Sequence, residues 1–305
     1  PGIVLVHPSG QNFVAGAADV TRLANVMPPH GLLMLAAVLR RDGYDSTIVD
    51  GFAEPLTAAQ IAGRVLAAAP DVVGFSATTS SFLAGYAIAE RIKAARPATR
   101  IVFGGVHTTS LWRRTLLEFP AVDMVVIGEG ERTFLELLAA GLQPSRDIAG
   151  LAYRDAAGEP VFTGERPHIA DLDGLPLPAY DKLHDFPRAY PLPLFNYPRS
   201  PATTFITSRG CPYSCSYCDR SVFKSSFRFH SVEYLVEHLS FLKRTYGIRH
   251  VNIYDDNFLL RRNRVLEFTE ALSRRGLGVT FNCIGRAIHL DGEVLAAMKR
   301  AGCWM

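Results

Sequence analysis

The stretch Thr207-Ser208-Arg209-Gly210-Cys211-Pro212-Tyr213-Ser214-Cys215-Ser216-Tyr217-Cys218-Asp219 sets three cysteines at C-x3-C-x2-C spacing, directly after a β-type run. Thiolates are the ligands of iron–sulfur clusters, and a cubane of four irons normally takes four. Three thiols in one short loop therefore leave one iron open to a ligand that is not protein. A structural zinc site is an alternative, but zinc favours paired C-x2-C units or a fourth Cys or His close by. The nearest histidine, His230, stands twelve residues beyond Cys218. A redox dithiol at Cys215 and Cys218 is a further alternative, and it leaves Cys211 unexplained.

The remaining cysteines are Cys283 and Cys303, and none occurs in the first 210 residues. An odd, clustered set argues against a disulfide framework and for a metal site in a reducing compartment, which makes the cytoplasm the expected location. Cys283 on a strand and Cys303 after a helix read as small buried hydrophobes. No basic segment followed by an apolar core opens the chain. The longest apolar run, Gly31–Leu39, meets Arg40, Arg41 and Asp42. It is well short of the roughly 18 residues of a membrane span. A net charge of +3 over 305 residues gives no reason to expect a nucleic-acid partner, and 48% hydrophobic with 20% charged residues describes a folded chain.

Around the cysteine loop the pattern alternates. The β-type run Thr203–Ser208 precedes it, and a helix over Ser231–Tyr246 follows, with Val232, Leu235, Val236 and Leu239 on one face. Strand His250–Tyr254, helix Asn263–Arg275, strand Val279–Cys283 and helix Asp291–Ala301 complete three β/α units. Eight units close a full barrel, so residues 201–305 read as the first part of a domain that is incomplete at its C-terminus.

Before residue 150 the alternation is of the same kind. Strands are expected at Gly2–His7, Ser46–Asp50, Val72–Ser76, Arg100–Phe103 and Met124–Ile127. Helices are expected around Leu32, Leu35, Ala36 and Leu39 with Gly43 as a stop, then at Ala58–Ala69, Phe82–Ala95, Ser110–Leu117 and Glu131–Ala139. Strand then helix, five times, predicts an α/β fold: a Rossmann-like parallel sheet over residues 1–150. Between the two domains, Leu151–Arg154 and Pro160–Gly164 flank the turn Asp155-Ala156-Ala157-Gly158. Prolines follow at 167, 176, 178, 187, 191, 193, 198 and 201. Residues 151–200 therefore read as a hairpin and a Pro-rich linker draped over the surface.

Cys211, Cys215 and Cys218, with Tyr217 before the last of them, resemble the signature of the radical S-adenosylmethionine (SAM) superfamily. The resemblance implies a partial (β/α)6 barrel and a 4Fe-4S cluster on those three thiolates. SAM would chelate the open iron and be cleaved reductively to a 5′-deoxyadenosyl radical, and Tyr217 would lie on the SAM side. A low-potential electron donor such as flavodoxin or ferredoxin is implied as a partner. The run Tyr254-Asp255-Asp256-Asn257-Phe258 ends the second strand, where family members commonly contact the SAM amino group. Asp255 or Asp256 is the candidate acceptor, although no Gly-Gly-Glu stands there. A helix cap by Asp256 or Asn257 is the plainer reading. Arg286, after the third strand, is either a clamp for the SAM carboxylate or a surface residue.

In a parallel sheet functional loops lie beyond the strand C-termini. Here these are His7-Pro8-Ser9-Gly10, Ser76-Ala77-Thr78-Thr79, Gly104-Gly105-Val106-His107-Thr108 and Gly128-Glu129-Gly130-Glu131. The segments Pro29-His30-Gly31-Leu32, Gly104–His107, Gly128–Glu131 and Asp173-Gly174-Leu175-Pro176 resemble the cobalamin-binding radical SAM family across the whole chain. That resemblance implies a cobalamin held by Ser76, Thr78, Thr79, Gly104, Gly105, Val106, His107, Gly128, Glu129 and Gly130. One departure stands out. Cobalamin domains with a histidine on cobalt carry D-x-H-x-x-G, and here His7 and Gly10 are kept while Leu5 replaces the aspartate. A ligating histidine normally has such a carboxylate behind it. His107 is the other histidine placed near the cofactor. Methylthiotransferases of transfer RNA share this architecture but need a second cluster in the first domain, which the absence of cysteines forbids.

The expected function is methyl transfer to an unactivated carbon of a small-molecule or lipid substrate. One SAM would supply the methyl group through methylcobalamin and another the radical. Oxidative cyclisation, as in the anaerobic cyclase of bacteriochlorophyll synthesis, is the alternative within the family. Two further readings are a first domain that is a cobalamin-free scaffold and a non-catalytic metal- and cofactor-binding protein.

Overall fold

The structure, a computed structural model, describes residues 1–9, 26–192 and 197–305. These divide into two compact units, one of residues 1–9, 29–169 and 176–184, the other of 26–28, 170–175, 185–192 and 197–305. Among the described residues no helix is long and apolar enough to cross a membrane.

The first unit is a seven-stranded sheet in the order β2-β1-β3-β4-β5-β6-β7. Its strands are β1 (Ile3–His7), β2 (Thr47–Asp50), β3 (Val72–Ser76), β4 (Arg100–Gly104), β5 (Met124–Val126), β6 (Leu151–Arg154) and β7 (Pro160–Phe162). The first five are parallel, and β6 and β7 are antiparallel. Among the described residues the helices of this unit are α1 (His30–Arg41), α2 (Ala58–Ala67), α3 (Phe82–Ala95), α4 (Val106–Glu118) and α5 (Glu131–Ala139). Successive strand side chains alternate between faces. Val4, Val6, Val73, Phe75, Ile101 and Phe103 therefore join one core with Ile61 and Val65 of α2 and Ile88 and Ile92 of α3. On the other face Gly74 leaves room for Leu5 and for the Phe134 ring of α5, and α1 lies beside α5. Each buried aliphatic or aromatic side chain here contributes roughly 1.5–3 kcal/mol. The chain turns one way from β1 to β2 and the other way to β3, so the crevice where such sheets take ligands opens at the C-terminal ends of β1 and β3.

Two local differences from the sequence reading have physical causes. The hairpin β6–β7, expected as the start of a linker, pairs with β5 and covers what would otherwise be an open edge. Arg154 secures it by donating to the carbonyls of Leu116 and Phe119 at the end of α4 and of Val122 in the turn after it. Helix α4 begins at Val106, four residues earlier than expected, and breaks helical geometry at Leu111. Gly105, with φ of 98°, makes the entry possible, because a Cβ there would lie 2.7 Å from the Ala77 carbonyl oxygen.

The second unit holds a parallel sheet β12-β11-β8, made of β8 (Ala202–Phe205), β11 (His250–Ile253) and β12 (Thr280–Cys283). Its helices are α6 (Val232–Tyr246), α7 (Arg262–Arg275) and α8 (Gly292–Arg300). Ser231 and Asp291 cap α6 and α8, and Gly247 and Gly276 end α6 and α7 in the left-handed region. Phe258, Phe268 and Phe281 pack edge to face beneath the sheet. The strand expected over Thr203–Ser208 stops at Phe205. The chain then resumes as the two-residue β9 (Ser208–Arg209), antiparallel to β10 (Arg228–Phe229). Thr207 and Ser208 turn their N–H groups away from the sheet towards Asp255.

Candidate functional site

In the second unit the cysteine loop runs from Gly210 to Phe227, and the pairing of Ser208 with Phe229 and Arg209 with Arg228 closes its base. Cys211 and Cys215 are half-buried, Cys218 is exposed, and all three are free thiols. The Cys218 N–H donates to the Cys215 carbonyl at 3.1 Å, which folds the C-x2-C half into a turn. Tyr217 is 90% exposed. Gly210, at φ of 84°, is required where it stands: a Cβ would lie 2.2 Å from the Ser226 carbonyl oxygen on the returning limb. Among the described residues no set of three or more His, Cys, Asp or Glu side chains is drawn together closely enough to hold a metal ion. The donor chemistry is nonetheless that of an iron–sulfur cluster: three thiols, no histidine, on one accessible loop at the C-terminal end of a parallel strand.

Two side chains from the loop after β12 meet this loop. The guanidinium of Arg286 lies 4.1 Å from the centre of the Tyr213 ring, and the Tyr213 hydroxyl is 3.0 Å from Nε2 of His289. Arg286 is thus stacked on the cysteine loop and exposed. The two aspartates after β11 part company. Asp255 is 3% exposed and its carboxylate is taken up by Thr207 and Ser208. Asp256 is exposed, with burial against the loop pushing its carboxyl up and the Gly210 N–H pulling it down. The cap expected of Asp256 or Asn257 is absent: Asn257 precedes the short turn Phe258–Leu260 without a side-chain cap bond. Its Oδ1 accepts from the Arg286 N–H at 3.4 Å.

Beneath the loop lies a polar group that sequence reasoning did not single out. Nδ1 of His230 donates to Oδ1 of Asp173 at 3.0 Å, and the ring stacks on Tyr234 at 3.9 Å. The same carboxylate receives the Ser231 N–H at the start of α6. Asp173 belongs to the Asp173–Pro176 segment, whose pairing by spacing with a histidine 57 residues on could not be seen. Burial pushes the His230 imidazole down to about 4, against the pull of Asp173.

In the first unit the glycine- and hydroxyl-rich loops lie where expected, at the C-terminal ends of β3, β4 and β5. Ser76 and Gly104 are paired residues at the strand ends. Thr78 and Thr79 are exposed, and Gly105, Val106 and His107 open α4. His107 lies 3.2 Å from Thr79 Oγ1 and 4.3 Å, ring to ring, from Phe82. Burial and Arg114 hold its pKa below the usual range, so it is neutral at pH 7. Gly128, at φ of 78°, has open space where a Cβ would stand, and Gly130 precedes α5. The Glu129 carboxylate receives the Ile169 N–H at 2.9 Å, so it fastens the chain as it leaves the sheet. These are neutral donors and close backbone on an open rim, which suits a large ligand with peripheral amides.

His7 has a carboxylate after all. Its Nδ1 donates to Asp50 Oδ1 at 2.8 Å, because β1 and β2 are in register with His7 opposite Asp50. The carboxylate is supplied from the next strand rather than from position 5, where Leu5 is fully buried. The N–H groups of Phe52 and Ala53 also reach Asp50. Gly10, the other end of the H-x-x-G pattern, and Pro193 of the linker lie outside the described residues.

Comparison with known proteins agrees with both halves. Residues 16–138 match the B12 binding domain family and residues 205–305 the radical SAM superfamily. The chain is 35% identical over 305 residues to an uncharacterized methyltransferase of Pyrococcus horikoshii, covering 99% of this chain and 63% of that one. It is 27% identical to the anaerobic magnesium-protoporphyrin IX monomethyl ester cyclase of Rubrivivax gelatinosus, covering 98% of this chain and 53% of that one. The chain thus spans little more than half the length of these relatives. Its fold matches the cobalamin-dependent SAM radical enzyme OxsB, solved with aqua-cobalamin and SAM, with a TM-score of 0.80 at 20% identity over 99% of this chain and 43% of that one.

Proposed function

We propose that this chain, whose two halves match the B12 binding domain and radical SAM families, is the cofactor-holding part of a methyltransferase acting on an unactivated carbon of a small-molecule or lipid substrate. The observation that carries this reading is the presence, in one chain, of a three-thiol loop pinned at a strand end and a second set of open, glycine-lined loops at the strand ends of a separate sheet. When bound, the cluster supplies the electron that cleaves SAM, and the cobalamin supplies the methyl group.

In this reading Cys211, Cys215 and Cys218 hold the cluster, and Asp256 and Tyr217 face the SAM. Arg286 steadies the loop through Tyr213 and has guanidinium edges left for a carboxylate. Thr78, Thr79, Gly104, Gly105, Val106, His107, Gly128, Glu129 and Gly130, with Ser76 behind them, form the cobalamin rim. Glu129 contributes backbone rather than carboxylate, which is already engaged. The neutral His107 offers a hydrogen bond without a buried charge. Flavodoxin or ferredoxin is the class of electron donor that fits.

The resemblance to the magnesium-protoporphyrin cyclase favours oxidative cyclisation as a second reading. Product analysis separates them. A methyltransferase of this kind forms S-adenosylhomocysteine and 5′-deoxyadenosine together, whereas a cyclase forms 5′-deoxyadenosine without S-adenosylhomocysteine. The first test is anaerobic reconstitution with iron, sulfide and hydroxocobalamin. The expected result is about four irons and one cobalt per chain, with loss of iron in each of Cys211→Ala, Cys215→Ala and Cys218→Ala. Iron without cobalt would demote the first unit to a scaffold, and zinc in place of both would overturn the proposal.

A further inference from the structure

The two neighbouring aspartates Asp255 and Asp256 look interchangeable as partners for the SAM amino group. Their surroundings are different. Asp255 is 3% exposed. Its Oδ1 receives the N–H groups of Thr207 at 2.6 Å and Ser208 at 3.2 Å. Its Oδ2 receives the Ser208 hydroxyl at 2.6 Å and the Thr207 hydroxyl. A carboxylate has about four acceptor sites, and all are used. An ammonium group would find no lone pair there without breaking a bond already made.

All four donors come from the two residues that lead through Arg209 and Gly210 into Cys211. Asp255 itself is fixed by the sheet: Ile253 is paired with Phe205, and the Tyr254 N–H donates to the Phe205 carbonyl at 3.0 Å. The carboxylate thus ties the entry of the cysteine loop to the end of the neighbouring strand. Arg264 of α7, 6% exposed, ties entry to exit. Its Nη2 donates to the Thr207 carbonyl at 2.8 Å and its Nε to the His230 carbonyl at 3.2 Å. The guanidinium also lies 5.0 Å from the Phe229 ring. Both limbs of the loop are held at the base, and the cysteines follow directly from it, Cys211 and Cys215 half-buried and Cys218 exposed.

We infer that Asp255 is a positioning residue that sets the cluster-bearing loop, with Arg264 as its counterpart on the returning limb, and that Asp256 alone of the pair is available to the SAM amino group. This rests on the proposed assignment of a cluster to Cys211, Cys215 and Cys218. It goes beyond that assignment by dividing the roles of the two carboxylates. Outer partners of this kind typically change metal affinity by roughly ten- to a hundredfold.

The test compares Asp255→Asn, Thr207→Val and Asp256→Asn with the parent chain, after reconstitution with iron and sulfide. Three quantities are read: the rate of iron loss to a chelator, the electron paramagnetic resonance spectrum of the reduced cluster with and without SAM, and amide exchange over residues 207–210. Asp255→Asn is expected to lose iron roughly ten- to a hundredfold faster and to exchange those amides faster. Thr207→Val should shift both in the same direction, and combining the two should add little to the worse single variant. Asp256→Asn should keep iron and protection but lose the spectral change on adding SAM. Asp255→Asn with the parent's iron retention and amide protection, and no spectral response to SAM, would overturn the inference. If Asp255→Asn fails to fold, Thr207→Val decides: parental iron loss and exchange in it overturn the inference too. A parent that takes up no iron would sink the cluster assignment instead. Amide exchange of the metal-free variants would then still report whether Asp255 holds the loop.

Discussion

Lowering the pH should destabilise the second unit through His230, and the size of the effect follows from its surroundings. The naive reading of a histidine 3.0 Å from a carboxylate is an ion pair whose pKa is raised. Burial wins over Asp173 here, helped by the positive charges of Arg209 and Arg264, and the imidazole is pushed from 6.5 down to about 4. The histidine is therefore neutral in the fold and donates Nδ1–H to Asp173. Between these two values the unfolded chain binds the proton and the folded chain does not, so stability falls as pH falls through that window. Each tenfold difference in proton affinity between the two states is worth about 1.36 kcal/mol, so the loss comes to about 2 kcal/mol by pH 5 and about 3 kcal/mol by pH 4.

Other groups titrate nearby and must be subtracted. Asp173 is held below the usual carboxylate range, and its contribution is lost only at lower pH. Burial raises Asp255 and Asp256, which adds stability as pH falls and so opposes the histidine. Replacing His230 by Asn keeps a neutral donor for Asp173 and removes the titration. The assay is urea unfolding at several pH values, followed by amide exchange in α6, for the parent and His230→Asn. The parent should lose about 2 kcal/mol relative to the variant between pH 7 and pH 5. A flat difference would refute the burial argument. A parent that gains on the variant as the pH falls would show a charged His230 paired with Asp173.

Gly210→Ala places a Cβ 2.2 Å from the Ser226 carbonyl at a φ of 84°; it should open the loop and release iron faster than the parent, as read by chelator challenge. Asp50→Ala removes the acceptor of the His7 Nδ1–H and of the Phe52 N–H, and should cost the first unit about 2–3 kcal/mol in denaturant unfolding. Arg154→Met removes the guanidinium from the Leu116, Phe119 and Val122 carbonyls and should cost a similar ~2 kcal/mol, with faster exchange at the C-terminal end of α4.

The parallel strands were legible because strands buried on both faces read as continuous apolar runs; β1, β3 and β11 lie close to where the patterns put them. Cysteine spacing is likewise a local signal, and so are the glycine-rich strand ends. What escaped depends on partners far apart in sequence. The interruption between β8 and β9 has its cause 48 residues on, in Asp255. The carboxylate behind His7 lies 43 residues away, visible only once β1 and β2 are placed in register. The hairpin after residue 150 was legible from its turn, but the attachment of its two short strands to the sheet was not. Only the open edge of β5 gives them a place in the sheet.

The run Tyr254-Asp255-Asp256-Asn257 shows why a local motif underdetermines a site. Both aspartates are acidic, both follow the same strand, and composition cannot rank them. Their partners do: past the end of β11 the chain is no longer strand, and hydrogen bonding sorts the two carboxylates. Once Ile253 is fixed opposite Phe205, Asp255 turns inward to the base of the cysteine loop and Asp256 turns outward. The inward one meets four donors and an arginine across the loop stem, and the outward one meets a single N–H. Chemistry at such a strand end then needs both: one carboxylate used up in holding the ligand-bearing loop still, and one left with lone pairs for a cation.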